Sequence, residues 1–213
     1  MKYLPVTLIV VLVAAMGMFP AQIPVQTTVE NTQGVAMPAM LADMGEKLVE
    51  LGVIDSKKMT VVRQNRDEKV VMTKENAAYL LNLMWAAGLA NKNPILEDKT
   101  EMMNPAYGGA GNFASTGGWT LAKGDAMDHY GKHMIIPLTE KQQSLVDRVS
   151  RGIYRPCCGN SAHFPDCNHG MAMLGLLEMM ASEGVSEQGM YDTARAVNEY
   201  WFPPAPTSGG CSA

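Results

Sequence analysis

Residues 165–184 read PDCNHGMAMLGLLEMMASEG and predict a helix. Apolar side chains recur three or four positions apart, a spacing that gathers them on one helix face. They are Met171, Leu174, Leu177 and Met180. Pro165 suits the first turn of this helix, and Gly184 is a typical signal for its end.

Further helices are predicted on both sides of this one. Residues 139–142, TEKQ, form a capping box and start a helix with apolar positions up to Ile153. Ser186 caps a last helix, which Pro203 stops. These short connections between helices favour antiparallel neighbours.

Two more helices are expected in the first half of the chain. One opens at Pro38 and stops at Gly52, and the next is capped by Thr73 and ends at residues 93–94. Two valine pairs lie between these helices, at residues 61–62 and 70–71, and both are expected to be briefly extended. The fold class predicted is therefore mostly α: a small antiparallel helical domain.

A long glycine-rich loop interrupts the helical pattern at residues 104–124, NPAYGGAGNFASTGGWTLAKG. A phosphate-binding loop would need a strand before it and a helix start after it, and neither pattern is present. Phe113 and Trp119 are expected to pin the loop to the core.

The beginning of the chain has the layout of an export signal. A basic start at residues 1–2 precedes a short apolar run that ends at Phe19, which predicts a signal peptide or an N-terminal anchor over 1–19. Residues 20–36 are polar and aperiodic, as in a tether. The protein is therefore expected to be exported, to the periplasm or the extracellular space, and to meet a membrane only through this segment.

The remaining residues predict one helical domain over 37–204, followed by a disordered tail over 205–213. The net charge of the 213-residue chain is −4, and no basic patch with interleaved aromatics is present. These features argue against nucleic acid as a partner.

One segment concentrates the reactive side chains. All four histidines, and all the cysteines except Cys211, lie between His129 and His169. Thiolate and imidazole together suit Zn(II) and Cu(I), so the segment predicts a transition-metal site for copper or zinc. The candidate ligands are Cys157, Cys158, His163, Cys167 and His169.

The local pattern explains how these ligands could meet. Gly159 allows a sharp turn, so that Cys157 or Cys158 can reach back toward a helix start that carries Cys167 and His169. Two alternatives remain open. Cys167 could form a disulfide with either cysteine of the pair, which would make this a stapled, non-catalytic structural or interaction domain. A thiol redox enzyme is the weaker alternative, because the Cys-x-x-Cys spacing is missing.

Two neighbouring features could extend the site. His129 and His133 are four residues apart and would share a helix face, although Gly131 between them disfavours a helix and two surface histidines are the simpler interpretation. Methionines also follow His169 closely and could assist Cu(I) binding, or they could be core residues at helical spacing. They are Met171, Met173, Met179 and Met180.

Residues 154–159, YRPCCG, together with Cys167 and the helix after it, resemble the PCYCGC-motif family of small exported bacterial proteins of unknown function. The tyrosine between the cysteines and the cysteine after the glycine are missing here. The resemblance covers about the last third of the chain and implies a class, the exported Cys/His protein, without an activity.

Overall fold

The computed structural model describes residues 34–60 and 69–203. The predicted signal or anchor, most of the tether, the valine pair at residues 61–62 and the C-terminal tail lie outside these residues. Residues 35–36, at the end of the range expected to be tether, form a short strand.

The described residues are mostly helical, as predicted. Six α-helices follow one another along the chain: α1 Leu41–Glu50, α2 Ala77–Ala90, α3 Ala114–Gly117, α4 Glu140–Gly152, α5 Asn168–Ser182 and α6 Glu187–Trp201. Strands β1 (Val35–Ala36) and β2 (Val71–Met72) pair antiparallel, with Val35 opposite Met72. None of the described helices is both long and apolar enough to cross a membrane.

Helices α2 and α5 form the centre of the core and pack against each other along their lengths. Both are buried on almost every side, which explains their nearly continuous apolar sequences. Gly88 of α2 lies against the backbone of Gly175 of α5, and a methyl group at either position would collide with main-chain atoms. Glycine is required at this crossing because it lets the two backbones approach so closely.

Helices α1, α4 and α6 have one apolar face each and cover this central pair. The predicted caps are present at two of them. Thr139 and Gln142 form the capping box of α4, and the Ser186 side chain accepts a hydrogen bond from the backbone N–H of Gly189 in α6. Local sequence signals therefore fixed the start of both helices correctly.

Three predicted helix starts were wrong by a few residues. The first helix was expected to open at Pro38, but α1 begins at Leu41. Thr73 does not cap α2, because the residues after it form a turn and α2 begins after Asn76. The Asn76 side chain bonds backward across that turn, accepting from the Thr73 N–H at 2.8 Å and donating to the Val71 carbonyl at 2.8 Å. Pro165 lies before α5, whose N-cap is Cys167.

The glycine-rich segment contains short helical turns, including the 3-10 turns Pro105–Tyr107 and Ala110–Asn112. Trp119 is buried and packs edge-on against Trp85 of α2, with ring centroids 4.7 Å apart. Phe113 packs against Phe164 at 5.3 Å, in the loop before α5. As predicted, these two aromatic residues fix the segment to the rest of the domain.

Candidate metal centre

The cysteine pair lies at the tip of a loop between α4 and α5. Tyr154 and Ser161 form an isolated antiparallel bridge that closes the loop. Gly159 adopts a left-handed conformation with φ of +73°, and its N–H donates to the Arg155 carbonyl at 2.8 Å. This turn leaves Cys157 and Cys158 exposed, with their sulfur atoms 3.7 Å apart.

Arg155 organises the base of this loop. Its side chain is fully buried, and it donates to three backbone carbonyls, those of Asn160, Ser161 and Phe164. Its Nη1 atom lies 2.7 Å from the Asp166 carboxylate and 2.8 Å from the Cys167 sulfur. Burial opposes the charged guanidinium, but Cys167 and Asp166 raise the pKa of Arg155 overall.

Cys167 and His169 come from the start of α5. Cys167 is the N-cap residue, and its carbonyl accepts the first helical hydrogen bond from the Met171 N–H at 2.9 Å. His169 lies in the first turn, half-buried against the rings of Trp201 and Phe202, with centroid distances of 5.7 and 4.4 Å. The predicted placement of both residues at a helix start is confirmed.

Four of the five predicted ligands converge. The ligand atoms of Cys157, Cys167 and His169 all lie within 4.8 Å of one another. Cys158, Asp166 and Cys167 form a second group by the same criterion, so Cys167 is common to both. The three cysteines that the structure describes carry free thiols.

The protonation of this group bears on metal binding. Burial, followed by the Arg155 charge, lowers the pKa of His169, which keeps its imidazole neutral and able to ligate at neutral pH. Burial, the Cys158 hydrogen bond and the Cys167 sulfur raise the pKa of Cys157 to about 12. A metal bound here must therefore displace the Cys157 proton, and its affinity should rise with pH.

The structure places His163 apart from the other four predicted ligands. Its ring is buried beneath α4, with Nδ1 2.7 Å from Glu101 and Nε2 2.9 Å from Asp147. The backbone N–H of His163 donates to the Ser150 carbonyl, which turns this part of the chain toward α4. His163 therefore belongs to a separate cluster with acidic residues.

His129 and His133 contact each other without sharing a helix. The 3-10 turn Ala126–Asp128 ends before them, and Gly131 takes a left-handed conformation with φ of +64°. Nδ1 of His129 lies 3.3 Å from Nε2 of His133, while Nε2 of His129 bonds to the Lys123 carbonyl. Neither histidine joins a group of three or more potential ligands among the described residues.

The four methionines that follow His169 are buried in the hydrophobic core, as the packing alternative predicted. Sequence reasoning missed Arg155 and Asp166 at the cysteine site. Their signal was present, since each is a charged residue within two positions of a cysteine in a segment otherwise poor in charge.

Comparisons of the chain with protein-family models, curated proteins and solved structures found no match.

Proposed function

We propose that this is an exported protein of the cell envelope that handles copper or zinc at a site formed by Cys157, Cys158, Cys167 and His169. The observation that carries the proposal is the convergence of Cys157, Cys167 and His169 from a loop tip and a helix start, with ligand atoms within 4.8 Å. Export is an expectation from residues 1–19 of the sequence.

The donor set supports these two metals. Three thiolates and one imidazole make a four-coordinate set typical of Zn(II), and a subset of the thiolates suits Cu(I). Three thiolates around Zn(II) would leave a charge of −1. The buried Arg155 lies 2.8 Å from the Cys167 sulfur and would stabilise a thiolate there, although it also pairs with Asp166.

The exposure of the ligands favours transfer of the metal over permanent structural binding. Cys157 and Cys158 lie exposed at the loop tip, whereas Cys167 and His169 are partly buried at its base. An incoming thiolate could replace an exposed ligand while the inner pair still holds the metal. The resemblance of residues 154–159 to a family of exported proteins agrees with a role in the envelope.

Titration of the reduced protein with Zn(II) and with Cu(I), in competition with chelators of known affinity, tests the proposal. We expect Cys167→Ser and His169→Ala each to weaken metal binding by about 100-fold or more. Loss of a residue that only hydrogen-bonds to a ligand already costs about 10–100-fold in metal affinity, and loss of the ligand itself should cost more. His129→Ala removes an imidazole outside the site and should leave the affinity unchanged.

A thiol count on air-oxidised protein separates the proposal from the stapled-domain alternative. We expect reactive thiols and tight metal binding in the reduced protein. If wild type and Cys167→Ser bind both metals equally weakly, and Cys167 is protected from alkylation by a disulfide, the metal proposal is wrong.

A further inference from the structure

His163 lies at the bottom of a second cluster of ligand-type side chains, separate from the cysteine site. Its imidazole is 1% exposed, and the cluster around it comprises Asp98, Glu101 and Asp147. The backbone of residues 162–163 is held against the end of α4, where the His163 N–H donates to Ser150 and the Ala162 N–H donates to Ile153. The ring therefore has a fixed position.

The hydrogen bonds of the ring leave one nitrogen directed at the other two carboxylates. Asp147 lies 2.9 Å from Nε2, and Glu101 faces Nδ1 in the same way. While Asp147 accepts the Nε2–H, a metal ion could take the place of the Nδ1 proton that would otherwise bond to Glu101. Histidine ligands of metals are commonly oriented in this way by an outer carboxylate. Nδ1 faces Glu101 at 2.7 Å, and one ligand atom from each of Asp98, Glu101 and His163 lies within 4.8 Å of the others.

The cluster is accessible to a small ion. Asp98, Asp147 and His163 line an open cavity of about 390 Å³, and the Glu101 side chain is 26% exposed. Asp98 is held in a turn, since its Oδ1 atom accepts from the Thr100 N–H and hydroxyl at 2.7 and 2.6 Å. The buried imidazole and the carboxylates therefore meet at the wall of a solvent-connected cavity.

The charges around His163 favour a cation. Three carboxylates face this region, and the neighbouring cation Arg151 pairs with Asp147 at 3.1 Å. Two carboxylate oxygens and one imidazole nitrogen suit a divalent ion such as Mn(II) or Zn(II), whereas Cu(I) prefers sulfur ligands. The two carboxylates are partly exposed, so rotation about their side-chain bonds can bring the three atoms to metal–ligand distances near 2.1 Å.

We propose that Asp98, Glu101 and His163 form a second metal site, of the carboxylate–imidazole type, for a divalent cation such as Mn(II), with Asp147 orienting the histidine ring. This site is chemically distinct from the cysteine site and does not depend on it. The protein would then hold one soft-ligand site and one hard-ligand site, with Cys167 in the first and His163, four residues earlier, in the second.

Titration of the full chain with Mn(II), followed through the electron paramagnetic resonance of the free ion, tests the second site. We expect one Mn(II) bound per chain and coupling of the bound ion to a ¹⁴N nucleus. Glu101→Gln should weaken binding by about tenfold or more, and His163→Gln should abolish the nitrogen coupling. Glu97→Gln is the matched control, because it removes the same charge from an exposed neighbouring position and should leave binding unchanged.

The outcomes distinguish this site from the cysteine site. Mn(II) binding should persist in the Cys157→Ser/Cys158→Ser/Cys167→Ser variant, and its loss there would overturn the proposal. Absence of Mn(II) binding in the wild type, or equal affinity of Glu101→Gln and wild type, would also overturn it. If His163→Gln fails to fold, the half-exposed Glu101→Gln decides the question.

Discussion

At the scale of single residues, the least expected group is Glu178, a carboxyl buried completely in α5. Asn93 donates a hydrogen bond to its Oε1 atom, while Oε2 has no partner among the described residues. Burial raises the pKa of Glu178 from its ordinary value of 4.5 to about 8, although the hydrogen bonds from Asn93 and Asn91 oppose this shift. Glu178 is therefore protonated in the folded protein at neutral pH.

This shift predicts a stability that falls as pH rises. Between 4.5 and about 8 the folded state holds a proton that the unfolded state releases, so the free energy of unfolding should decrease by up to about 1.4 kcal/mol per pH unit. Glu178→Gln mimics the protonated acid and should remove most of this slope, leaving the variant close to wild type at pH 5 and more stable at pH 8. Urea unfolding at both values measures the effect.

Glu50→Gln is the matched control for Glu178→Gln, because Glu50 is an exposed helical glutamate and its removal should leave the slope as in wild type. Equal slopes for wild type and Glu178→Gln would show that Glu178 is ionised in the folded protein or titrates alike in both states.

The positions of some single ligand residues could be predicted from the sequence, and those of others could not. Cys167 and His169 were placed correctly because a helix start is a local signal. His163 lies in the same short string, but hydrogen bonds to Ser150 and Asp147 hold it against α4. Its partner Glu101 is 62 positions away in sequence, and no local pattern reports such a contact.

At the scale of elements, the crossing of α2 and α5 depends on two glycines that local propensity would disfavour. Glycine inside a helix costs about 1 kcal/mol relative to alanine, and here the cost is offset by close packing of the two backbones. The start of α4 and α6 could be predicted from their caps, since each cap is a contact within four residues. The packing partners of α2 and α5 could not be predicted, because both helices are apolar on almost every side and any face could pack against a neighbour.

Gly88→Ala should therefore destabilise the protein despite its better helix propensity. The added methyl group would collide with the Met171 carbonyl and the Gly175 backbone, atoms that cannot move without separating the helices. We expect a loss of about 1–3 kcal/mol or more in the free energy of unfolding, the range for overpacked cores. Denaturant unfolding monitored by circular dichroism measures it.

Gly189→Ala in α6 is the matched control for Gly88→Ala. Its methyl group would meet the Val185 and Ser186 side chains, which can adjust, so stability should stay the same or rise. A Gly88→Ala variant as stable as Gly189→Ala would mean that the two backbones do not approach as closely as the structure describes.

At the scale of the whole molecule, metal binding at the loop should stabilise the entire domain. The cysteine pair and the start of α5 are joined by the buried Arg155, and α5 is the helix around which the core is built. A ligand that binds only the folded state adds free energy by mass action, about 2.7 kcal/mol at a free concentration 100 times its Kd. For a domain of this size, that corresponds to about 5–10 °C in the thermal midpoint.

Cu(I) separates the two proposed sites in this measurement, because thiolates bind it well and the carboxylate oxygens around His163 bind it poorly. Buffered Cu(I), added anaerobically to reduced protein, should raise the midpoint of the wild type and of Glu101→Gln by the same amount. It should leave the midpoint of Cys167→Ser unchanged, since loss of the sulfur shared by both ligand groups disconnects the loop tip from α5. If Cu(I) raised the thermal midpoint of Cys167→Ser as much as that of wild type, the Cu(I) ligands would lie elsewhere in the chain. The exposed Cys157–Cys158 pair alone would bind Cu(I) without connecting the loop to the core.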